Sequence, residues 1–168
     1  FLKIPSVSAQ NERRENCRRA AQFLANEFRK LGLSTSLEET PGHPIVLAKH
    51  HAGENKPALL IYGHYDVQPE DPISLWESPP FEPVIRDGNI YARGASDDKG
   101  QIYAHIKAVE SLLKTEGTIP VNLIFLVEGE EEIASVNLER FIHENRQRLR
   151  ADAAIISDSC QYGPEMPA

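Results

Sequence analysis

Three short apolar runs constrain the fold of this chain more than any other feature. They are ALLIYG (58–63), VNLIFLV (121–127) and AAIIS (153–157), and each has the length of a buried strand. A segment with helical spacing of apolar residues lies between each successive pair of runs. This alternation predicts a βαβαβ core, and therefore an α/β fold with a mostly parallel sheet flanked by helices.

The same helical spacing predicts a further helix near the amino terminus. The three predicted helices are marked by residues 17–31 with Gly32 as the stop, by residues 102–113 with an end near Gly117, and by residues 138–149. Ser135 is the candidate N-cap of the last helix, because a serine side chain accepts hydrogen bonds from free N–H groups at a helix start.

Two short strands and a hairpin complete the predicted elements. Residues 35–37 and 45–48 have strand-like patterns, and a proline-rich connection at 69–83 leads into PVIRDGNIYAR. That segment predicts a β-hairpin, with either Asp-Gly or Gly-Asn of residues 87–89 at the turn, since these residue types tolerate positive φ.

Potential metal ligands follow each of the three apolar runs. His64 and Asp66 come after the first run, the glutamates of 130–132 after the second, and Asp158 after the third. The carboxyl ends of parallel strands lie along one edge of a sheet, where ligands bind. We therefore expect these residues to converge, and one imidazole among carboxylates is a suitable donor set for a divalent ion.

Another pair of acids, Asp97 and Asp98, stands in RGASDDKG just before the second helix of the core. Helix N-capping alone explains such residues, because aspartate accepts backbone N–H groups. Gly94 and Gly100 permit close approach of the backbone, which favours a binding site instead. Asp97 is the candidate for bridging two ions, since its carboxylate has two oxygens.

His64 and Asp66 are two residues apart in an extended segment, so their side chains point to the same side. A ligating imidazole usually donates its second N–H to a carboxylate, and Asp66 suits that orienting role. The other histidines lack comparable neighbours and are interpreted as structural or surface residues: His43, His50, His51, His105 and His143.

EGEEE (128–132) directly follows the most apolar run. A run of acids is ordinarily a solvated face, but mutual repulsion beside a buried strand is tolerable when cations lie among the acids. Metal hydrolases need one carboxylate as ligand and another as general base. The spacing alone leaves open which glutamate takes which role.

Composition limits the partners. The formal net charge of −7 argues against nucleic acid or an anionic membrane, and 168 residues with 40% hydrophobic content predict one domain with a real core. No apolar run approaches the roughly 18 residues of a membrane span. Cys17 and Cys160 match no zinc-ligand spacing, and we interpret them as reduced thiols of a cytoplasmic protein.

Four motifs occur in order along the chain: GHYDVQP, RGASDDKG, EGEEEIAS and the ISD of 156–158. Together they resemble the di-zinc metallopeptidase family of aminoacylases, acetylornithine and succinyl-diaminopimelate deacylases, glutamate carboxypeptidases and carnosinase-like dipeptidases. The resemblance runs from the SVS near the start to Asp158. GHYDVQP, WESPPFEP and the DGNIYARG hairpin look most like the dipeptidase branch.

The resemblance implies a centre with two zinc ions, for which manganese or cobalt are alternatives. It implies His64 and Asp158 as ligands of one ion, Glu132 as a ligand of the other, and Asp97 as the bridge between them. It also implies a cis peptide bond after Asp97.

The resemblance further implies Glu131 as the general base and Asp66 as the residue that orients His64. The expected reaction is hydrolysis of a peptide bond in dipeptides or short peptides by a metal-activated water. The alternative is removal of the acyl group from N-acyl amino acids by the same di-metal chemistry.

Members of the family carry an inserted lid domain, which contributes to a homodimer, and a last zinc-binding histidine after it. We expect residues 1–168 to be the amino-terminal part of the catalytic domain, with the lid domain and the remainder not in this chain and with little or no activity. His64, Asp97 and Asp158 should then form a three-ligand site. The second site, left with Asp97 and Glu132, should be weak or empty.

Overall fold

The computed structural model describes residues 1–159, Gly163 and Met166. This part of the chain forms three α-helices and seven strands. In chain order they are α1 (Arg14–Lys30), β1 (Ser34–Glu38), β2 (Ile45–His50), β3 (Ala58–His64), β4 (Val84–Arg86), β5 (Asn89–Tyr91), α2 (Lys99–Thr115), β6 (Asn122–Glu128), α3 (Leu138–Asn145) and β7 (Ala153–Ile156).

The main sheet has five strands in the order β1-β2-β6-β3-β7. Strand β3 pairs in parallel with β6 on one side and with β7 on the other, with Ile61 opposite both Phe125 and Ile155. The predicted βαβαβ core is thus confirmed, with α2 and α3 as its crossovers. Strand β2 pairs with β6 and β1 pairs with β2, both in antiparallel fashion, so the α/β sheet as a whole is mixed.

Apolar side chains alternate between the two faces of the sheet, and helices cover both faces. Helices α1 and α2 pack on the face that carries Val46, Ile61 and Phe125. The ring centroids of Phe28 in α1 and Phe125 in β6 lie 4.6 Å apart. Phe141 of α3 packs on the opposite face, in a cluster completed by Ile45, Leu47, Ile124, Leu126 and Leu149.

The start of α3 differs from its predicted form. Ser135 does not cap the helix: it has a φ of 51°, and its Oγ donates a hydrogen bond to Glu128 Oε1 at 2.7 Å. Asn137 takes the N-cap position, without a side-chain cap bond. The helix also ends at Asn145, and Leu149 reaches the core from the turn that follows. Left-handed backbone at Ala134 and Ser135 turns the serine back toward β6, which explains the error.

Strand β7 was predicted to be buried, but within the described residues it is exposed. Ala153 and Ala154 are exposed, and Ile156 is 65% exposed. The strand lies at the edge of the sheet, and within residues 1–159 no other strand pairs with its outer side. Apolar composition identified the strand, but it could not report what covers the strand.

The hairpin of β4 and β5 turns at Asp87-Gly88, the first of the two predicted dipeptides, with φ of 49° and 78°. Cys17 is a buried free thiol in α1, and burial raises its pKa to about 12. Cys160 lies outside the described residues. No helix in the described part of the chain has the length and apolar character needed to cross a membrane.

Candidate metal centre

The carboxyl ends of β3, β6 and β7 meet at one edge of the sheet, and the predicted ligands meet there around one imidazole. His64, the last residue of β3, is fully buried. Its Nε2 lies 3.0 Å from Asp97 Oδ1 and 3.6 Å from Asp158 Oδ2. The same nitrogen lies 3.8 Å from Glu131 Oε2.

Two groups of potential ligand atoms share His64. In each group the atoms lie within 4.8 Å of one another. Asp97 and Asp158 complete one group, which we call the aspartate side; Glu131 and Glu132 complete the other, which we call the glutamate side. Within the described residues, His64 is the only histidine in either group.

Negative charge dominates this cluster. Among the residues that the structure describes, the acids of both sides form ion pairs only with His64 and with no lysine or arginine. Burial lowers the pKa of His64, but the hydrogen bond and charge of Asp66, with the charges of Asp98 and Asp158, outweigh burial and raise the pKa to about 10. Such a cluster attracts cations, and its nitrogen and oxygen donors fit a borderline divalent ion such as zinc.

Asp66 holds both His64 and the glutamate turn in place. It is fully buried; its main-chain oxygen lies 3.1 Å from His64 Nδ1, and its Oδ1 lies 3.3 Å from the same nitrogen. Its two carboxylate oxygens also accept the main-chain N–H groups of Glu131 (3.3 Å) and Glu132 (3.1 Å). Ser8 Oγ donates a further hydrogen bond to Asp66 Oδ2 at 2.6 Å. Asp66 therefore fixes the imidazole, through its main-chain oxygen and its carboxylate, together with the backbone of the opposite acids.

Glu131 and Glu132 lie on a short 3-10 turn, Glu131–Ile133, which begins three residues after the end of β6 at Glu128. Burial raises the pKa of Glu131, and the nearby charges of Asp158 and Asp66 add to this effect against the opposing charge of His64. Burial also raises the pKa of Glu132, while a hydrogen bond from Gln68 opposes that rise. A carboxylate with a raised pKa is a better proton acceptor near neutral pH.

Glu130, the first of the three adjacent glutamates, does not reach the centre. It is 4% exposed, and its carboxylate accepts the main-chain N–H groups of His43 (2.9 Å) and Asn137 (3.1 Å). The Nδ2 of Asn137 donates to it as well, at 2.8 Å. The Glu130 carboxylate therefore points away from His64, and it anchors the glutamate turn to the segments that contain His43 and Asn137.

Asp98 has a different role from its neighbour Asp97. The peptide bond between them is cis, as the resemblance implied. Asp98 is 1% exposed, and its Oδ2 accepts the main-chain N–H of His64 at 3.1 Å. Burial raises its pKa to about 7. It occupies the N-cap position of α2 without a side-chain cap bond, so capping does not explain it.

The sequence analysis assigned no role to Ser8 or Gln68. In the structure, Ser8 donates a hydrogen bond to Asp66 and Gln68 donates one to Glu132. Both lie inside the segments SVS and GHYDVQP that carry the resemblance. Only this placement could have drawn attention to them, because a small polar residue has no distinctive periodicity or charge.

Comparison with known proteins identifies the family. The model of peptidase family M20/M25/M40 matches residues 60–165, and the chain belongs to this family of metal-dependent peptidases. The Cys-Gly metallodipeptidase dug1 of Schizosaccharomyces pombe is 34% identical over 179 residues, which cover 99% of this chain and 38% of that protein.

Two solved structures show the same fold. An M20 family metallo-carboxypeptidase from Sulfolobus solfataricus is 45% identical with a TM-score of 0.89, covering 99% of this chain and 37% of its own. Human carnosine dipeptidase 1 is 32% identical with a TM-score of 0.89, covering 94% and 36%. The chain thus spans little more than a third of the length of these relatives, and it has the fold of that part of them.

Proposed function

We propose that this chain carries the metal-binding part of a zinc-dependent dipeptidase, which hydrolyses the peptide bond of dipeptides or short peptides. The observation that supports this most is the approach of two pairs of acids to one imidazole, with all ligand atoms of each group within 4.8 Å. The relatives named for Cys-Gly and carnosine hydrolysis favour a dipeptide as the substrate.

His64, Asp97 and Asp158 would hold one ion, and Asp97 and Glu132 would hold the second. Zinc suits this mixture of imidazole nitrogen and carboxylate oxygen. A divalent ion bound here supplies polarisation of the scissile carbonyl and a lower pKa for the attacking water.

The chain's own residues then move the proton. Glu131 accepts the proton of the attacking water and passes it to the nitrogen of the leaving amine. Its Oε2 lies 3.8 Å from His64 Nε2, close to the ligand atoms, and its raised pKa suits a base. Asp66 keeps the ring of His64 in the orientation that ligation requires.

The test uses the complete gene product that contains these residues, assayed with zinc on Cys-Gly and β-Ala-His. Glu131→Gln should lower kcat roughly 100-fold or more, because a positioned general base contributes about that much, while zinc binding stays unchanged. Glu139→Gln is the matched control, since the Glu139 side chain is 90% exposed on α3. Equal activity of the two variants would remove Glu131 from the proposed role.

The same assay separates dipeptidase from deacylase activity. Release of amino acids from N-acetyl or N-succinyl amino acids, with no hydrolysis of dipeptides, would replace the proposal with the deacylase alternative. Metal analysis of the purified protein distinguishes zinc from manganese or cobalt.

We also propose that residues 1–168 form the amino-terminal part of a larger catalytic domain, which is supported by their coverage of 36–38% of the relatives. The homodimer and the cytoplasmic location remain predictions. Sedimentation of the complete gene product and its localisation in cells test them.

A further inference from the structure

Gln68 makes more hydrogen bonds to Glu132 than any other described residue does. Its main-chain N–H donates to Glu132 Oε1 at 3.1 Å. Its side-chain Nε2 donates to Glu132 Oε2 at 2.6 Å and approaches the main-chain oxygen of Glu132 at 3.4 Å. Both carboxylate oxygens of one predicted ligand are therefore held by a residue 64 positions away in sequence.

The backbone before Gln68 is firmly placed. Val67 is fully buried, and its N–H donates to the main-chain oxygen of Ser6 at 3.0 Å. Val67 also forms a parallel β-bridge with Val7. Gln68 thus extends from a fixed point, although its own side chain is exposed. A rigid base of this kind allows a side chain to orient its partner at little additional entropic cost.

The other acids of the centre have no comparable support. Among the described residues, the carboxylates of Asp97, Glu131 and Asp158 accept no hydrogen bond from a side-chain amide, and their close polar neighbour is His64. Glu132 differs because a neutral donor contacts each of its oxygens. Each oxygen keeps a second lone pair for an ion, since a carboxylate has about four acceptor positions.

We propose that Gln68 is a positioning residue, which aims the carboxylate of Glu132 and thereby sets the zinc affinity of the glutamate side. The inference rests on the proposed function, because it assumes that Glu132 binds an ion. A neutral amide suits this role, since it orients the carboxylate without supplying a positive charge that would compete with the metal. Mutation of a residue that holds a metal ligand in this way typically weakens metal affinity about 10–100-fold.

The experiment titrates zinc into the complete gene product in competition with a chromophoric chelator, and resolves two stepwise binding constants. Gln68→Met keeps the approximate length of the side chain and removes its donor. Gln68→Glu replaces the donor with a second carboxylate facing Glu132. Gln22→Met is the matched control, because the Gln22 amide donates to Asn26 Oδ1 at 3.0 Å on the exposed face of α1, away from the centre.

Gln68→Met should weaken one zinc constant about tenfold or more, and leave the other within about twofold. Gln68→Glu should weaken the same constant less than Gln68→Met does, because the orienting donor is lost in both variants but the added negative charge attracts the cation. Melting temperatures measured without zinc should match that of the unsubstituted protein for Gln68→Met and Gln22→Met. A purely structural role of Gln68 would instead lower the melting temperature and weaken both constants.

Two outcomes overturn the inference and are distinguishable from each other. Unchanged zinc constants in Gln68→Met, beside two tight ions in the unsubstituted protein, would reject the role of Gln68 alone. Failure of the unsubstituted protein to bind zinc would reject the proposed function and this inference together.

Discussion

The aspartate side and the glutamate side of the centre flank the same imidazole, but the chain fixes them differently. On the glutamate side, the N–H groups of Glu131 and Glu132 are bound by Asp66, and the Glu132 carboxylate is bound by Gln68. On the aspartate side, Asp97 and Asp158 approach His64 from a loop and from the end of an edge strand. Hydrogen bonds therefore preorganise the glutamate side. On the aspartate side, the positions of the two carboxylates depend on the backbone that carries them and on the ion that they would bind.

His64 is the imidazole ligand of the centre, so its removal should have the largest effect. We expect His64→Ala to weaken more than 100-fold the zinc constant of the ion that His64, Asp97 and Asp158 would hold, since loss of even the partners of a metal ligand costs about 10–100-fold. The constant of the ion that Asp97 and Glu132 would hold should change less. Zinc titration of the complete gene product provides the measurement, with the exposed His51→Ala as control. Equal loss of both constants would show that the imidazole serves both ions.

Substitution of one acid on each side tests whether the two sides are separate. We expect Asp158→Asn and Glu132→Gln each to weaken one zinc constant roughly tenfold or more, and the two variants to affect different constants. Both substitutions preserve the size of the side chain and remove its charge. If both weaken the same constant, a single ion is shared and the distinction between the sides fails.

Ser8 contacts the centre only through Asp66, so its substitution should have the smallest effect. Ser8→Ala removes the donor to Asp66 Oδ2, but Asp66 keeps the N–H groups of Glu131 and Glu132. We expect a loss of ~1 kcal/mol in the free energy of unfolding, and zinc constants within a few-fold of the original. Urea denaturation measures the stability, with the exposed Ser111→Ala as control. A change in one zinc constant alone would mean that Ser8 supports only one side.

The sequence was sufficient to predict the elements of the core and the residues that meet at its edge. Apolar runs and helical spacing identified β3, β6 and β7 with their crossovers, because periodicity reports which residues form one face. The convergence of His64, Glu131, Glu132 and Asp158 followed from the rule that parallel strands end at one edge. Asp97 was predicted separately, from its place before α2 beside Gly94 and Gly100. These inferences depend on topology, which the pattern determines.

The finer division of roles could not be read from the sequence. Glu130 and Glu131 are adjacent and chemically identical, yet one is bound by His43 and Asn137 while the other faces His64. The partners of Glu130 lie 87 and 7 positions away. Ser135 likewise binds Glu128 instead of capping α3, because left-handed backbone turns it around. Such choices are made by side-chain geometry, on which a pattern of residue types carries no information.

The exposed edge of β7 has a practical consequence for work with this polypeptide. Ala153–Ile156 offers apolar side chains on its surface and, within residues 1–159, an outer row of main-chain groups that no strand covers. Any extended segment can add to such a row, including the same strand of another molecule. Association through this edge would depend on protein concentration, which is therefore a variable to control during purification and crystallisation.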